Sequence, residues 1–180
     1  MTSARAGAAE ACPSGAVADQ TPAAETEKAA QRLAQLCDKP VEVLSAADEF
    51  TKVTALPSGT FTFESSIEPE RVERSGQWLD VDTNLEPGAD GRLHPRAAAD
   101  VTFSRGGDGP FVVLRGGGAD FSLSWSGTLP PGEVSEDRVT YKNVYPDVDL
   151  VARALPGGFS HVLVVRTAEA ASLPASRAGG

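Results

Sequence analysis

The chain has 180 residues, and 16 Lys+Arg against 25 Asp+Glu leave a net charge of −9 with a pI near 4.7. That field repels polyphosphates and anionic lipid head groups, which argues against general nucleic-acid or membrane-surface binding. With 41% hydrophobic residues the length suits a single sizeable core. The longest apolar run, Val162-Leu-Val-Val165, is far short of the roughly 20 residues of a spanning helix.

Residues 1–20 are rich in Ala, Gly, Ser and Pro without a period and read as a flexible lead-in. Their alanines are broken by Gly7 and Glu10, so no apolar core of a signal peptide is legible. Thr21-Pro22 offers a capping hydroxyl and a proline suited to a first helical turn, with Glu25 and Glu27 near the positive end of the dipole. The spacing of Thr26, Ala30, Leu33 and Cys37, with Ala29 and Leu36 beside them, predicts an amphipathic helix over 22–38 within an arm of residues 21–39. Pro40 ends it. The helix is expected to dock through Leu33 and Leu36.

Cys12 and Cys37 lie 25 positions apart in this arm. A bridge between them would contribute about 3–4 kcal/mol by loop-closure arithmetic in an oxidising compartment. Two small apolar thiols fit the spacing as well. A metal site does not, because two thiols without a nearby His or third Cys fall short of four zinc ligands.

After Pro40 the period changes to two, and residues 40–168 read as one β-rich domain, followed by a disordered tail at 169–180. Val41–Leu44 is a short strand. Phe50–Leu56 and Thr60–Ser65 form a hairpin about Pro57-Ser-Gly59, with Phe61 and Phe63 on one face. Arg71–Arg74 and Gln77–Asp82 form a second about Ser75-Gly76, with Trp78, Asp80 and Asp82 sharing the outer face. Turn residues recur at 87–91, 106–110, 116–118, 130–132 and 156–158. Strand candidates between them are 101–104, 111–114, 120–125, 139–141, 148–152 and 159–165. Phe121, Leu123 and Trp125 alternate inward. The unbroken run at Val162–Val165 predicts a central strand covered on both faces. Some eleven short strands predict a mainly β fold, an antiparallel sandwich or barrel-like module with one N-terminal helix.

Asp80-Val-Asp82-Thr-Asn84 opens like a calcium loop, but Leu85 stands where the turn wants Gly and Gly91 where a bidentate Glu is needed. A solvated strand face is the better reading there, and for Asp147 and Asp149 as well. Gly106-Gly107 and Gly116–Gly118 precede strands, which favours turns over a phosphate cradle. His94 before Pro95, in a polar loop, and His161 beside Ser160 are the only histidines, and no Gly-x-Ser-x-Gly elbow exists. The residues therefore single out no catalytic group, metal or cofactor. Trp78 with Asp80 and Asp82 is the one candidate ligand face, suited to stacking a sugar and bonding its hydroxyls.

Several segments together resemble a known family. They are Lys39–Leu44, Ala55–Phe61, Arg71-Val with Gly76–Leu85, Asp90-Gly with His94-Pro95, Val101–Ser104 with Gly106-Gly, Leu123-Ser-Trp with Leu129-Pro, Thr140-Tyr with Val144–Leu150, and Gly158–Val165. In this order they are similar to the N-terminal β-rich region of large secreted actinobacterial proteins carrying LamG-like jelly-roll, DNRLRE or RHS-repeat modules, over residues 25–170. The resemblance implies an extracellular or cell-surface module without an active site. Such a module serves as a structural or presenting segment whose partners are downstream modules, a glycan or a protein. It also implies a cysteine pair flanking the helix, which favours the Cys12–Cys37 bridge. The chain departs from the pattern by lacking an export signal and by ending after Ala171 in a short tail, which fits a gene fragment, a truncated paralogue or a mis-started reading frame. In that case an unpaired edge near Phe159–Val165 is expected, and association with it. A carbohydrate- or cell-wall-binding module is the alternative function, and a hydrolase the weaker one.

Overall fold

The computed structural model describes residues 21–171. Contacts divide the chain into two compact units with the boundary between Ile67 and Glu68, so the stretch read as one β domain is parted within its first third.

The first unit is a helix on a four-stranded sheet. Strand β1 (Ala23–Ala24) runs parallel to β2 (Val41–Val43), and β3 (Thr51–Ala55) and β4 (Phe61–Ser65) follow antiparallel in the order β1-β2-β3-β4. Helix α1 spans Glu27–Cys37 and begins later than the Thr21-Pro22 signal predicts. The cap is Thr26, whose hydroxyl accepts the Ala29 N–H at 3.3 Å. Residues 22–25 are claimed by the sheet: the carbonyls of Pro22 and Glu25 accept the N–H groups of Glu42 and Ser45 at 2.8 and 3.0 Å. Alanine propensity, a few tenths of a kcal/mol per residue, yields to those bonds. The C-terminal end falls at Asp38, in the left-handed region just before Pro40.

Docking also differs in its residues. Ala30 and Ala34 are fully buried against Val41, Val43 and Ala55, Leu33 packs alongside, and Leu36 is 58% exposed on the far flank. Small residues let the helix lie close to the sheet, and Leu36 falls outside that close contact.

The second unit is made of β strands with one terminal helical turn. A hairpin of β5 (Arg71–Arg74) and β6 (Gln77–Asp80) stands as its own two-stranded sheet. A five-stranded sheet in the order β11-β10-β9-β8-β7 contains β7 (Asp82–Pro87), β8 (Leu93–Ala97), β9 (Val101–Phe103), β10 (Pro110–Gly116) and β11 (Ala119–Ser124). A four-stranded sheet runs β12-β13-β14-β15, with β12 (Gly132–Ser135), β13 (Arg138–Tyr145), β14 (Val148–Leu155) and β15 (Gly158–Val165). Its last segment is α2 (Ala168–Ala171), so the first residues of the stretch read as a disordered tail are helical.

These two larger sheets share one core. Leu93, Val101, Phe103, Phe111 and Val112 from the first meet Val139, Tyr141, Leu150, Ala152 and Ala154 from the second, with Leu129 between. The chain is mainly β with one substantial helix near its N-terminus, as the pattern predicts, and the sheets stay open rather than closing into a barrel.

His94, read as part of a polar loop, lies in β8. Pro95 hid that strand, since proline cannot donate to a ladder. It is accommodated because β8 pairs with β9 only at Leu93↔Phe103 and has parted from it by Pro95. Gly106 shows why one glycine is required: its φ is +115°, and a Cβ there would stand 2.6 Å from the Pro130 carbonyl oxygen. The segment it turns pairs through Gly107↔Leu129 and ties the two sheets' connections together.

The largest departure is β15. The apolar run predicts a covered central strand, yet β15 is the last strand of its sheet, and Val162, Leu163, Val164 and Val165 are between 43% and 55% exposed. Coverage needs a neighbour on each side, and this sheet supplies only β14. Phe121, in the inward phase of β11, is likewise 52% exposed because β11 is also an edge strand. Phe103→Ala is therefore expected to cost about 3–5 kcal/mol in denaturant unfolding. Phe121→Ala should cost only about 1 kcal/mol, in proportion to its half burial.

Candidate functional site

Trp78 and Asp80 share one face of the β5–β6 hairpin, because Glu73↔Trp78 and Arg71↔Asp80 are the cross-strand partners. Arg71 is buried, and its guanidinium stands 5.0 Å over the Trp78 ring. The indole is half-buried, with one side held by that cation. Asp82 is not on this hairpin. The strand breaks at Val81, whose N–H is bonded to the Glu70 carbonyl, and Asp82 opens β7 in a different sheet.

There the Asp82 carboxylate accepts the Asn84 backbone N–H at 3.0 Å and the Asn84 side-chain amide at 2.7 Å, with Arg96 at 3.5 Å. The backbone bond from Asn84 is the main cause that holds its pKa below the ordinary aspartate value. The candidate ligand face thus reduces to Trp78, Asp80 and their β5 partners.

The other acids and both histidines are drawn into the frame. His94 Nε2 lies 2.8 Å from Asp90 Oδ1, and this contact is the leading cause of Asp90's lowered pKa. Asp149 is buried rather than outward as the alternation predicts: it accepts the Asn143 N–H at 2.8 Å and lies 3.5 Å from Arg166. Asp147 is exposed, as predicted, at the β13–β14 turn with φ +60°. Asp137 is buried at the β12–β13 turn and accepts from the Arg153 guanidinium. Among the described residues no three His, Cys, Asp or Glu converge in a group able to hold a metal ion, and no helix is long and apolar enough to cross a membrane. Cys37 is the last residue of α1, whereas Cys12 lies outside the described residues, and so does the proposed bridge.

A polar seam runs beneath the core. Arg92 donates through Nε to the Thr102 hydroxyl at 2.8 Å and through its terminal nitrogens to the Pro110 and Thr102 carbonyls. Tyr141, fully buried, donates its phenol to the Ser104 carbonyl at 2.7 Å. These bonds give carbonyls in and beside β9 and β10 side-chain partners.

One grouping escapes a reading by single motifs. Phe159 and His161 on β15 meet Phe111 on β10 and Phe121 on β11: Phe121–Phe159 stack at 6.2 Å, Phe159–His161 at 6.3 Å, and Phe111–His161 meet edge-on at 5.8 Å. His161 is thus an aromatic packing partner. Trp125 and Tyr145 add a second contact at 5.4 Å. The margin where β11 and β15 end their sheets is therefore aromatic and half open. Its signal in the sequence was the alternation Phe159, His161, Leu163, Val165, masked by the apolar residues between.

Comparison of the chain with family models, with curated proteins and with solved structures returns no match.

Burial raises the Tyr141 phenol to about 12, against about 10 for a free tyrosine. The folded state therefore holds this proton more tightly than the unfolded chain. The associated stability, roughly 2–3 kcal/mol, is present in full below pH 10 and is lost as pH rises toward 12. Denaturant unfolding between pH 9 and 12 should show that loss, and Tyr141→Phe should abolish most of the slope.

Proposed function

We propose that the chain is a non-catalytic β-module of an extracellular or cell-surface protein, a structural or presenting segment of the LamG- or RHS-type architecture that its ordered motifs resemble. One observation carries the reading: the motif residues belong to the frame. Val101, Phe103, Tyr141 and Leu150 are core side chains, and Gly106 makes the turn that ties the sheets' connections. The chemically capable groups are bound into the same frame, His94 to Asp90, Asp82 to Asn84 and Arg96, and His161 to two aromatic rings, Phe111 and Phe159, through contacts of packing type. Side chains so arranged hold a shape, and the shape is the functional property. In this reading its partners are further modules of the same protein, a glycan or a protein.

A carbohydrate-binding role is the second reading. It is favoured by Trp78, whose ring is partly exposed beside Asp80 and Glu73 and kept in position by Arg71. A sugar would stack on the side of the indole away from the guanidinium.

Purified protein is expected to show no turnover against ester, peptide and glycan panels. Robust turnover abolished by His161→Ala would overturn the structural reading, and saturable glycan binding lost in Trp78→Ala would favour the second. For an exported module, intact mass with and without reductant should shift by one Cys12–Cys37 disulfide, and Cys37→Ser should lower stability by about 3 kcal/mol. An unchanged mass would overturn the bridge.

A further inference from the structure

Among the described residues β15 has no strand on its outer side, and the hydrogen-bonding phase of that edge is known. The register Val148↔Val165 sets Arg166 opposite Asp147, and the Arg166 N–H donates to the Asp147 carbonyl at 2.8 Å. In an antiparallel ladder, residues that bond the neighbour alternate with residues that face away. Val164, Val162 and Ser160 therefore bond β14, and Phe159, His161, Leu163 and Val165 turn their N–H and C=O groups to the free side. The opposite edge of β14 has the matching phase, since the Ala154 N–H donates to Asp137 on the β13 side at 2.8 Å.

Both faces of this strand are apolar and half open, Val162 and Val164 outside, Leu163 and Val165 inside. A flat partner surface covers one face of an edge strand, whereas an added strand places side chains on both. Free edges are ordinarily guarded by charge, proline or a bulge. The other edges of the two larger sheets follow that rule: β7 holds Asp82, Glu86 and Pro87, β11 holds Asp120, and β12 holds Glu133 after Pro130-Pro131. Between Gly158 and Val165 there is no Lys, Arg, Asp, Glu or Pro, and β15 pairs with β14 in register throughout without a bulge.

We propose that β15 pairs antiparallel with β15 of a second copy about a two-fold axis at Val162, forming one continuous sheet across the dimer. Two features of the strand favour a second copy as the occupant. First, the edge is self-complementary: with Val162 opposite Val162 of the partner subunit, Phe159 pairs with the partner's Val165 and His161 with the partner's Leu163. All four edge-facing residues of each strand then exchange hydrogen bonds. Second, the strand is uncharged in a chain of net charge −9, so two copies meet here without like charges along the contact. Ser172–Gly180, which follows in the sequence, contains Pro174 and no apolar alternation of the kind that would lay along β15.

Sedimentation velocity of the full chain over a concentration series is expected to show a monomer–dimer equilibrium. Val162 is exposed on the outer face, so its replacement leaves the core intact. Val162→Lys and Val162→Glu each place like charges opposite one another and should be monomeric at concentrations where the natural chain is dimeric, with thermal unfolding equal to that of the natural chain at dilutions where both are monomeric. Mixing the two variants should restore a dimer. Val162→Cys should cross-link through a 162–162 peptide on mild oxidation, since facing Cα atoms at a non-hydrogen-bonded pair stand about 4.5 Å apart, within disulfide reach. Val164→Cys, opposite the partner's Ser160, should not cross-link to itself. A chain that stays monomeric throughout overturns the proposal, as does a dimer indifferent to both charge variants. Slow exchange of the Leu163 and Val165 amides in a strict monomer would overturn it too, assigning the edge to another segment of the chain.

Discussion

The second unit depends on the burial of one tyrosine. Tyr141 sits where the inner faces of two sheets meet, flanked by Val139 and Leu150, with Phe103 and Val112 opposite. Its ring is the largest fully buried side chain of the core that the two sheets share, and its hydroxyl must find a partner once removed from water. The Ser104 carbonyl provides it. That bond fixes where β9 ends, and the left-handed glycine at 106 begins the return toward Leu129 and Pro130. A single buried phenol thus links core packing to loop geometry, and its raised pKa is the electrostatic trace of the same burial.

Around this core the charged side chains serve as clamps. Asp137, Asp149 and Asp82 lie at turns or strand starts and accept backbone or guanidinium hydrogen bonds, which set local chain direction rather than form a reactive cluster. The surface pairs of Arg96 with Asp82 and Glu86 are well exposed, and such pairs contribute little each. The electrostatics therefore position turns. A frame whose polar groups are committed in this way is suited to presenting surfaces, and the surface least committed is the margin of β11 and β15.

That margin connects the proposed role to the proposed association. A module that pairs through β15 would join two copies into one sheet, with the β5–β6 hairpin, a separate two-stranded sheet, outside that ladder. The half-open aromatic cluster of Phe121, Phe159 and His161 lies beside the same edge.

Much of this was legible from residue order. The period-two stretches, the hairpin about Pro57-Ser-Gly59, the glycine turns and the helix ending before Pro40 follow from local sterics and apolar spacing, and these act within a few residues. The helix start was not legible, because whether Thr21 or Thr26 caps it depends on carbonyls of Pro22 and Glu25 being claimed by Glu42 of β2 and by Ser45 in the turn after it, some twenty residues away. Asp80 and Asp82 look like companions on one face, yet a break at Val81 sends them to different sheets. The run at Val162–Val165 was visible as apolar, but apolarity states a need for cover and does not say whether cover is present. Strand order decides that, and strand order is a property of long-range pairing. The sequence by itself determined which segments are extended, where they turn and which faces prefer to leave water. Only the tertiary structure decided which of those faces found a neighbour, because each neighbour is supplied by distant chain and the competition among possible pairings is settled by the whole core at once.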